Sequence, residues 1–382
     1  MLTLLKSLSA PLLSLVFMMM ASGLFNTFVS LRLEIEGYRP ESIGMVVSSL
    51  YVGILIGSFW IDRWISKGGH IRSFVAFAAI LTVLVLAQAF WIDLWYWSFL
   101  RLAGGICMAG IFIIIESWLL VQSASNKRGM ILSIYLAIFY AALSSGQLLI
   151  DLSDPNSSFP YCLTAILLAV SILPISMRKT AEPKLHEAVR LNLVQLFRIS
   201  PHGFIGGVIS GMVLAVTYGL VPIYAKEIGM NVSEIGTFMA ILIFGGFSLQ
   251  WPLGWWADQG DRRRVLNIVS FITALLGIAI GWLGAGAGNL LFILAWLFGG
   301  FSFTLYPLSM AYACERVKEE QIIAATGGFV LSYGMGAIAG PLLAPVAMGL
   351  LGSSGVFYFL AAISFFLGFV GLKRRAPAIL DK

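Results

Sequence analysis

Charge is what this chain has least of. Asp, Glu, Lys and Arg make up 11% of its 382 residues, while apolar residues make up 59%. Soluble domains carry about 25% charged and about 45–50% apolar residues. The polar coat of a soluble globule is therefore missing. Histidine is nearly absent too: His70, His186 and His202 all map to cytoplasmic segments under the topology derived below. That leaves no membrane Ser/His couple for a rhomboid-like protease. There is also no His-Glu-x-x-His, no paired membrane Asp and no Walker A sequence, so no enzyme and no ATP-driven pump is expected. Cys107, Cys162 and Cys314 are scattered, without a Cys-x-x-Cys, and imply neither a disulfide nor a metal site. They read as small apolar packing residues, and no cofactor is expected.

What the chain has in abundance is uninterrupted apolar sequence. A helix needs about 20 such residues to cross a bilayer. Twelve runs of that kind are read at roughly 10–31, 43–61, 74–92, 97–122, 130–150, 160–177, 203–225, 235–256, 265–284, 290–313, 324–350 and 355–372. At about 21 residues each they use about 250 residues, which leaves no room for a soluble catalytic domain. The first run is span-length, begins at Pro11 and is followed by eleven more, so it is expected to persist rather than to be cleaved as a secretory signal.

The basic residues set the topology. Of the 24 Lys and Arg, all but Arg32, Arg39, Lys226 and Arg101 fall at the termini or in connections on the same side. Short loops rich in Lys and Arg stay cytoplasmic. Both termini are expected inside, and the net charge of +6 reflects topology rather than a nucleic-acid footprint.

The longest hydrophilic connection, Met177 to Pro201, divides the chain into a first six-span bundle (1–177), a cytoplasmic linker (178–201) and a second bundle (202–382). The halves repeat. An ungapped offset of 192 sets FNTFVSLRLEIEGYRPESIG against TYGLVPIYAKEIGMNVSEIG, matching Gly37 to Gly229 and Ile43-Gly44 to Ile235-Gly236. Farther along, Gly53 meets Gly245, and an offset of 195 sets Gly104-Gly105 against Gly299-Gly300. Six spans per half make a parallel repeat, the arrangement expected of a transporter whose site lies between its halves.

Three short motifs carry a resemblance. Gly254-Trp-Trp-Ala-Asp258 followed by Arg262-Arg263 resembles the loop motif of the major facilitator superfamily. Arg101-x-x-x-Gly105 is similar to its span-four motif, and Gly336-Ala-Ile-Ala-Gly340-Pro341 resembles its Gly-x-x-x-Gly-Pro element. Within the superfamily, IIIESWLL, LQWPLGWWAD and FTLYPLSMAYACERV look closest to the YcaD-like branch. The resemblance implies an all-α integral membrane protein, with twelve transmembrane helices in two six-helix pseudo-repeats. Two departures stand out. The first-half loop, Gly57-Ser-Phe-Trp-Ile-Asp62-Arg63, has its Asp one residue late, and span five lacks the Gly-Pro element, which sits intact in span eleven.

Glu116, inside Gly110 to Val121, is the deepest carboxylate in the chain. A charge at the bilayer centre costs about 2.5–3.5 kcal/mol and usually faces a cavity or a partner. Three roles stay open for it: a proton-binding carboxyl, a counter-ion for a cationic substrate, or half of a buried structural pair. Arg101 lies fifteen residues away, about 22 Å of helical rise, too far to pair within the helix. Arg101 reads either as snorkelling to the outer interface or, as the resemblance implies, as a gating or proton-relay residue. The spans that line the cavity in this superfamily are one, four, seven and ten. They place Asn26, Met108, Phe112, Tyr218, Phe303, Tyr306 and Met310 as substrate-cavity candidates. Gln147, Gln250 and Tyr333 are weaker candidates, with helix-to-helix hydrogen bonding an equal reading. Glu315 reads as a solvated charge. Gly336 and Gly340 read as close packing, and with Pro341, Asp258, Arg262 and Arg263 as conformational-switch motifs.

The expected function is secondary active transport by alternating access in a bacterial inner membrane, coupled to protons through Glu116. The aromatic and Met-rich lining points to a small amphipathic or lipophilic solute, a cation among the options, with efflux favoured. Proton-coupled uptake of a small polar metabolite is the alternative, and a non-transporting sensor or scaffold a third reading. Expected partners are the substrate, protons and the lipid bilayer; no nucleic acid is expected, and the chain reads as a monomer.

Overall fold

The computed structural model describes residues 2–121, 128–152, 154–177, 197, 199–315 and 322–373. Most of the linker 178–201, together with Lys127, Arg316, Lys318, Arg374 and Arg375, lies outside the described residues. Among the described residues twelve α-helices follow one another: α1 (Leu2–Ile35), α2 (Pro40–Gly68), α3 (His70–Ala87), α4 (Leu94–Val121), α5 (Arg128–Leu148) and α6 (Phe159–Ser176). Then come α7 (Pro201–Glu227), α8 (Val232–Gln259), α9 (Arg262–Leu283), α10 (Leu290–Cys314), α11 (Ile322–Leu351) and α12 (Gly355–Lys373). All 12 contain a stretch long and apolar enough to cross a membrane, and no strand occurs among the described residues. Helices are what such sequence must form, because lipid offers no partner to backbone N–H and C=O groups. The protein is a multi-pass membrane protein of all-helical fold.

The helix ends show how the sequence sets boundaries. Gly37 and Gly229, matched in the repeat, adopt φ of 81° and 93° just past α1 and α7. The Gly37 N–H donates to Glu34 O at 3.0 Å and the Gly229 N–H to Lys226 O at 2.9 Å. Such left-handed closures satisfy carbonyls that the helix leaves open, and glycine adopts them without a Cβ penalty. At the start of α8, Asn231 and Glu234 cap each other: Asn231 Oδ1 accepts from the Glu234 N–H at 3.0 Å, and Glu234 Oε2 from the Asn231 N–H at 2.8 Å.

Most helices run past the expected apolar spans at one end or both, such as α1 (Leu2–Ile35) and α2 (Pro40–Gly68), while one stops well short. The third span was expected to reach residue 92, but α3 stops at Ala87. No glycine or proline ends it. Side chains of α4 take the carbonyls at and beyond its end instead: Tyr96 Oη donates to Ala87 O at 3.0 Å, and Trp97 Nε1 to Gln88 O at 3.1 Å and Trp91 O at 2.7 Å. His70 and His202, expected in cytoplasmic segments, open α3 and α7 and are buried.

The chain forms two compact units. The first comprises Met1–His186 and Met230–Ala240, the second Glu187–Gly229 and Ile241–Lys382. In the first, α4 packs along α2, and α1 along α5 and α6. Glycines permit the closest approaches: a Cβ on Gly53 would strike the Leu102 carbonyl, and one on Gly105 the Leu50 carbonyl. Between α1 and α5, Gly23 faces Leu143 O and Gly146 faces Met20 O in the same way. The second unit repeats these contacts with its own residues. Gly245 and Gly299 bring α8 against α10 at Trp296 O and Leu242 O, while Gly211 and Gly336 bring α7 against α11 at Tyr333 O and Val208 O. Small residues that let backbones touch are the usual glue of membrane helices, because apolar burial gives no net drive within lipid.

Candidate functional site

Two polar features stand out within the first unit. The first is built on Arg101, two turns into α4. Its side chain is 6% exposed, so the guanidinium is enclosed rather than snorkelling. Nη2 donates to Asn26 Oδ1 at 2.8 Å, and the guanidinium carbon lies 5.8 Å from the centre of the Phe25 ring. Tyr51 of α2 lies within electrostatic reach. No carboxylate forms a salt bridge with Arg101 among the described residues. Burying a charge without an opposite charge costs several kcal/mol after relaxation, so this arrangement calls for a reason. Arg101, Asn26 and Met108, expected separately as site residues, share the wall of one cavity of about 30 Å³ with Gln88.

The second feature is Glu116, on the same face of α4 but about 22 Å farther along the helix. Its side chain is exposed. Glu116 Oε1 accepts a hydrogen bond from Tyr135 Oη of α5 at 3.1 Å. Among the described residues no Lys or Arg forms an ion pair with it. Aromatic rings continue along α4 and α5 from this point: Phe139 has its centre 6.2 Å from Tyr135, 6.1 Å from Phe112 and 5.3 Å from Tyr140. A carboxylate bordered by aromatic rings can hold a proton or face a cation. On the next residue of α4, about 100° round the helix, Ser117 Oγ meets His70 Nε2 at 3.2 Å.

The second unit brings most of its candidates into aromatic packing. The ring of Tyr218 in α7 lies 5.6 Å from that of Phe303 in α10, and Phe303 is fully buried. Tyr306 stacks edge-on to Tyr333 at 5.1 Å and tilts against Phe329 at 5.2 Å. Met310 and Tyr306 pack on the cluster of Ala313, Ala325 and Phe329. Gly340, beside Pro341, lies against Met212 and Val216 of α7, so the Gly336–Gly340 element packs inside one unit. At the ends of α8, α9 and α10, Arg262 pairs with Asp258 at 2.8 Å and with Glu315 at 3.0 Å. Arg263 Nε donates to Gly371 O of α12 at 2.8 Å.

Three residues that face these features escaped the sequence reading. Tyr135, Tyr51 and Gln88 are neutral, and nothing in one sequence separates them from ordinary span residues. Tyr135 did leave a signal, the aromatic spacing Tyr135-x-x-x-Phe139-Tyr140. Gln147, a weaker candidate, makes a helix-to-helix hydrogen bond with Thr27 at 2.6 Å.

Among the described residues, twelve apolar helices in two units whose glycine contacts repeat give the two-bundle architecture of a multi-pass membrane protein. Comparison with known proteins then gives the family. The Major Facilitator Superfamily profile matches residues 203–381. Over 357 residues the chain is 32% identical to the MFS-type transporter YcaD of Escherichia fergusonii, covering 92% of this chain and 91% of that one. An MFS-type transporter of Enterobacter sp. (strain 638) is 32% identical over 356 residues, with the same 92% and 91% coverage. The chain belongs to the major facilitator superfamily. Among solved structures it is similar to the nucleoside transporter NupG, with a TM-score of 0.80 at 15% identity, covering 96% of this chain and 99% of that one. A D-xylose–proton symporter superimposes with a TM-score of 0.76 at 13% identity, covering 96% and 97%. These likenesses describe the fold.

Proposed function

We propose that this protein is a proton-coupled secondary transporter of a bacterial inner membrane, both termini cytoplasmic, working as a monomer by alternating access. Glu116 is its coupling or substrate-charge group. The observation that carries this reading is an accessible carboxylate within a membrane span, held by a neutral Tyr135 and by no cation among the described residues. A structural ion pair would use a basic partner. A carboxylate facing lipid would cost about 2.5–3.5 kcal/mol, so an accessible Glu116 faces a water-filled path. Moving one charge across the membrane is worth about 2.3 kcal/mol per 100 mV, enough for one titrating carboxyl to drive solute movement.

The rings of Phe112, Tyr135, Phe139 and Tyr140 beside the carboxylate favour a small amphipathic or lipophilic cation over a sugar, with export as the direction. The test is binding: melting of purified wild type and Glu116→Gln against a panel of lipophilic cations, anions and neutral polar solutes. A ligand bound only by the folded state raises the melting temperature by mass action. Cations should stabilise the wild type and leave Glu116→Gln unchanged. An equal response of both proteins, or a response to anions and polar solutes alone, removes Glu116 from the substrate site.

A further inference from the structure

Arg101 presents a problem that the Glu116 reading leaves untouched. The guanidinium is buried, its Nη2 is bonded to the neutral amide of Asn26, and its Nε–H has no partner. In the wall of the adjoining cavity, Gln88 is 2% exposed, and its Oε1 is also without a partner. Two buried polar groups thus share one space of about 30 Å³, which is room for one or two waters or a single small ion. The rest of the wall is largely apolar: Phe25, Leu50, Leu81 and Leu84 are part of it. An apolar wall strengthens the field of the arginine and makes an uncompensated positive charge costly.

We propose that this cavity is a binding site for one small monovalent inorganic anion of chloride size, held within the first unit by Arg101. Water alone would satisfy the orphan Nε–H but would leave the charge uncancelled. An anion does both. The donors around it are Arg101 Nε–H, the NH₂ end of Asn26, whose oxygen is already engaged by Arg101, and Gln88. The present contact of the Gln88 amide nitrogen with Leu84 O is 3.4 Å, at the edge of hydrogen-bond range. Turning the amide over to bring its NH₂ into the cavity gives up that weak bond and turns Oε1 toward the Leu84 carbonyl, a cost that the new N–H to the anion offsets. Glu116 lies about 22 Å along α4, so this site is separate from the proposed coupling group. The bound anion would tie α1, the end of α3 and α4 together around a neutralised arginine.

The experiment is thermal unfolding of the purified full-length protein in detergent at fixed ionic strength, with sodium chloride exchanged stepwise for sodium gluconate, an anion too large for the cavity. In wild type the melting temperature should rise with chloride, by about 2 °C once chloride exceeds its Kd roughly tenfold. Asn26→Asp sets a carboxylate where the 2.8 Å amide contact now is and should abolish the chloride dependence while the protein stays folded. Arg101→Gln should abolish it too. Bromide should replace chloride and give an anomalous-scattering peak beside Arg101 in crystals. A wild type that melts identically in chloride and gluconate overturns the proposal, and water then fills the cavity. A chloride effect that survives unchanged in Asn26→Asp also overturns it, because the anion then binds elsewhere.

Discussion

Gly53 and Gly254 both sit inside helices, and the same substitution at each should change stability in opposite directions. At Gly254 a Cβ would meet nothing within 4 Å. There, Gly→Ala changes only helix propensity, a gain of about 1 kcal/mol. At Gly53 the added carbon would strike the carbonyl oxygen of Leu102, with the Leu102 carbonyl carbon at 2.9 Å and the Gly105 Cα at 3.0 Å. Every one of these atoms is backbone, so no rotamer change relieves the clash and α2 must move off α4. Overpacking costs about 1–3 kcal/mol, and an obstruction made wholly of backbone belongs at the upper end. Setting about 3 kcal/mol against the propensity gain leaves Gly53→Ala destabilised by about 2 kcal/mol. The repeat-mate Gly245→Ala meets the carbonyl of Trp296 in the same geometry and should behave alike. Because Gly53 and Gly105 serve one contact, the double variant should cost less than the sum of the two singles. Thermal unfolding of the purified variants measures all of this. A Gly53→Ala protein that melts at or above wild type, with Gly254→Ala below it, would refute the assignment of these glycines to close helix contact.

Other substitutions test individual interactions. Tyr135→Phe removes the hydrogen bond that Tyr135 gives to Glu116 and leaves the ring packing; at about 1–1.5 kcal/mol it should slow transport roughly tenfold at near-normal stability, and a variant transporting at the wild-type rate would detach Tyr135 from function. Trp97→Phe keeps an aromatic ring but strips two hydrogen bonds from the carbonyls beyond α3. It should lower stability by about 1–3 kcal/mol, and hydrogen exchange should speed up first around residues 88–91. Unchanged exchange there would mean that α3 ends for another reason.

Much of this architecture was legible because a bilayer permits few solutions. Span-length apolar runs and the placement of Lys and Arg were sufficient for twelve helices, and the Gly37–Gly229 match marked two equivalent helix ends before their left-handed φ values were seen. Distance along a helix is also readable: fifteen positions of one continuous α4 hold Arg101 and Glu116 apart. Contacts between helices were not readable. Asn26 and Arg101 are 75 positions apart, and nothing local in either indicates that they meet. The early stop of α3 was hidden for the same reason, since the groups that end it come from Tyr96 and Trp97 rather than from its own sequence. Phe303 fell on a helical stripe chosen as a cavity wall, yet it is fully buried against Tyr218, because periodicity gives a face without naming what the face meets.

The central claim is that Glu116 couples solute movement to protons, and solute flux under an imposed pH gradient tests it most directly. Wild type and Glu116→Gln are reconstituted in liposomes with a cation that stabilises the wild type, and accumulation is followed with and without the gradient. The account predicts that the gradient drives accumulation by the wild type several-fold above equilibrium, and that Glu116→Gln loses that drive. Gradient-driven accumulation that persists undiminished in Glu116→Gln would contradict it, and the coupling group would then have to be sought elsewhere in the chain.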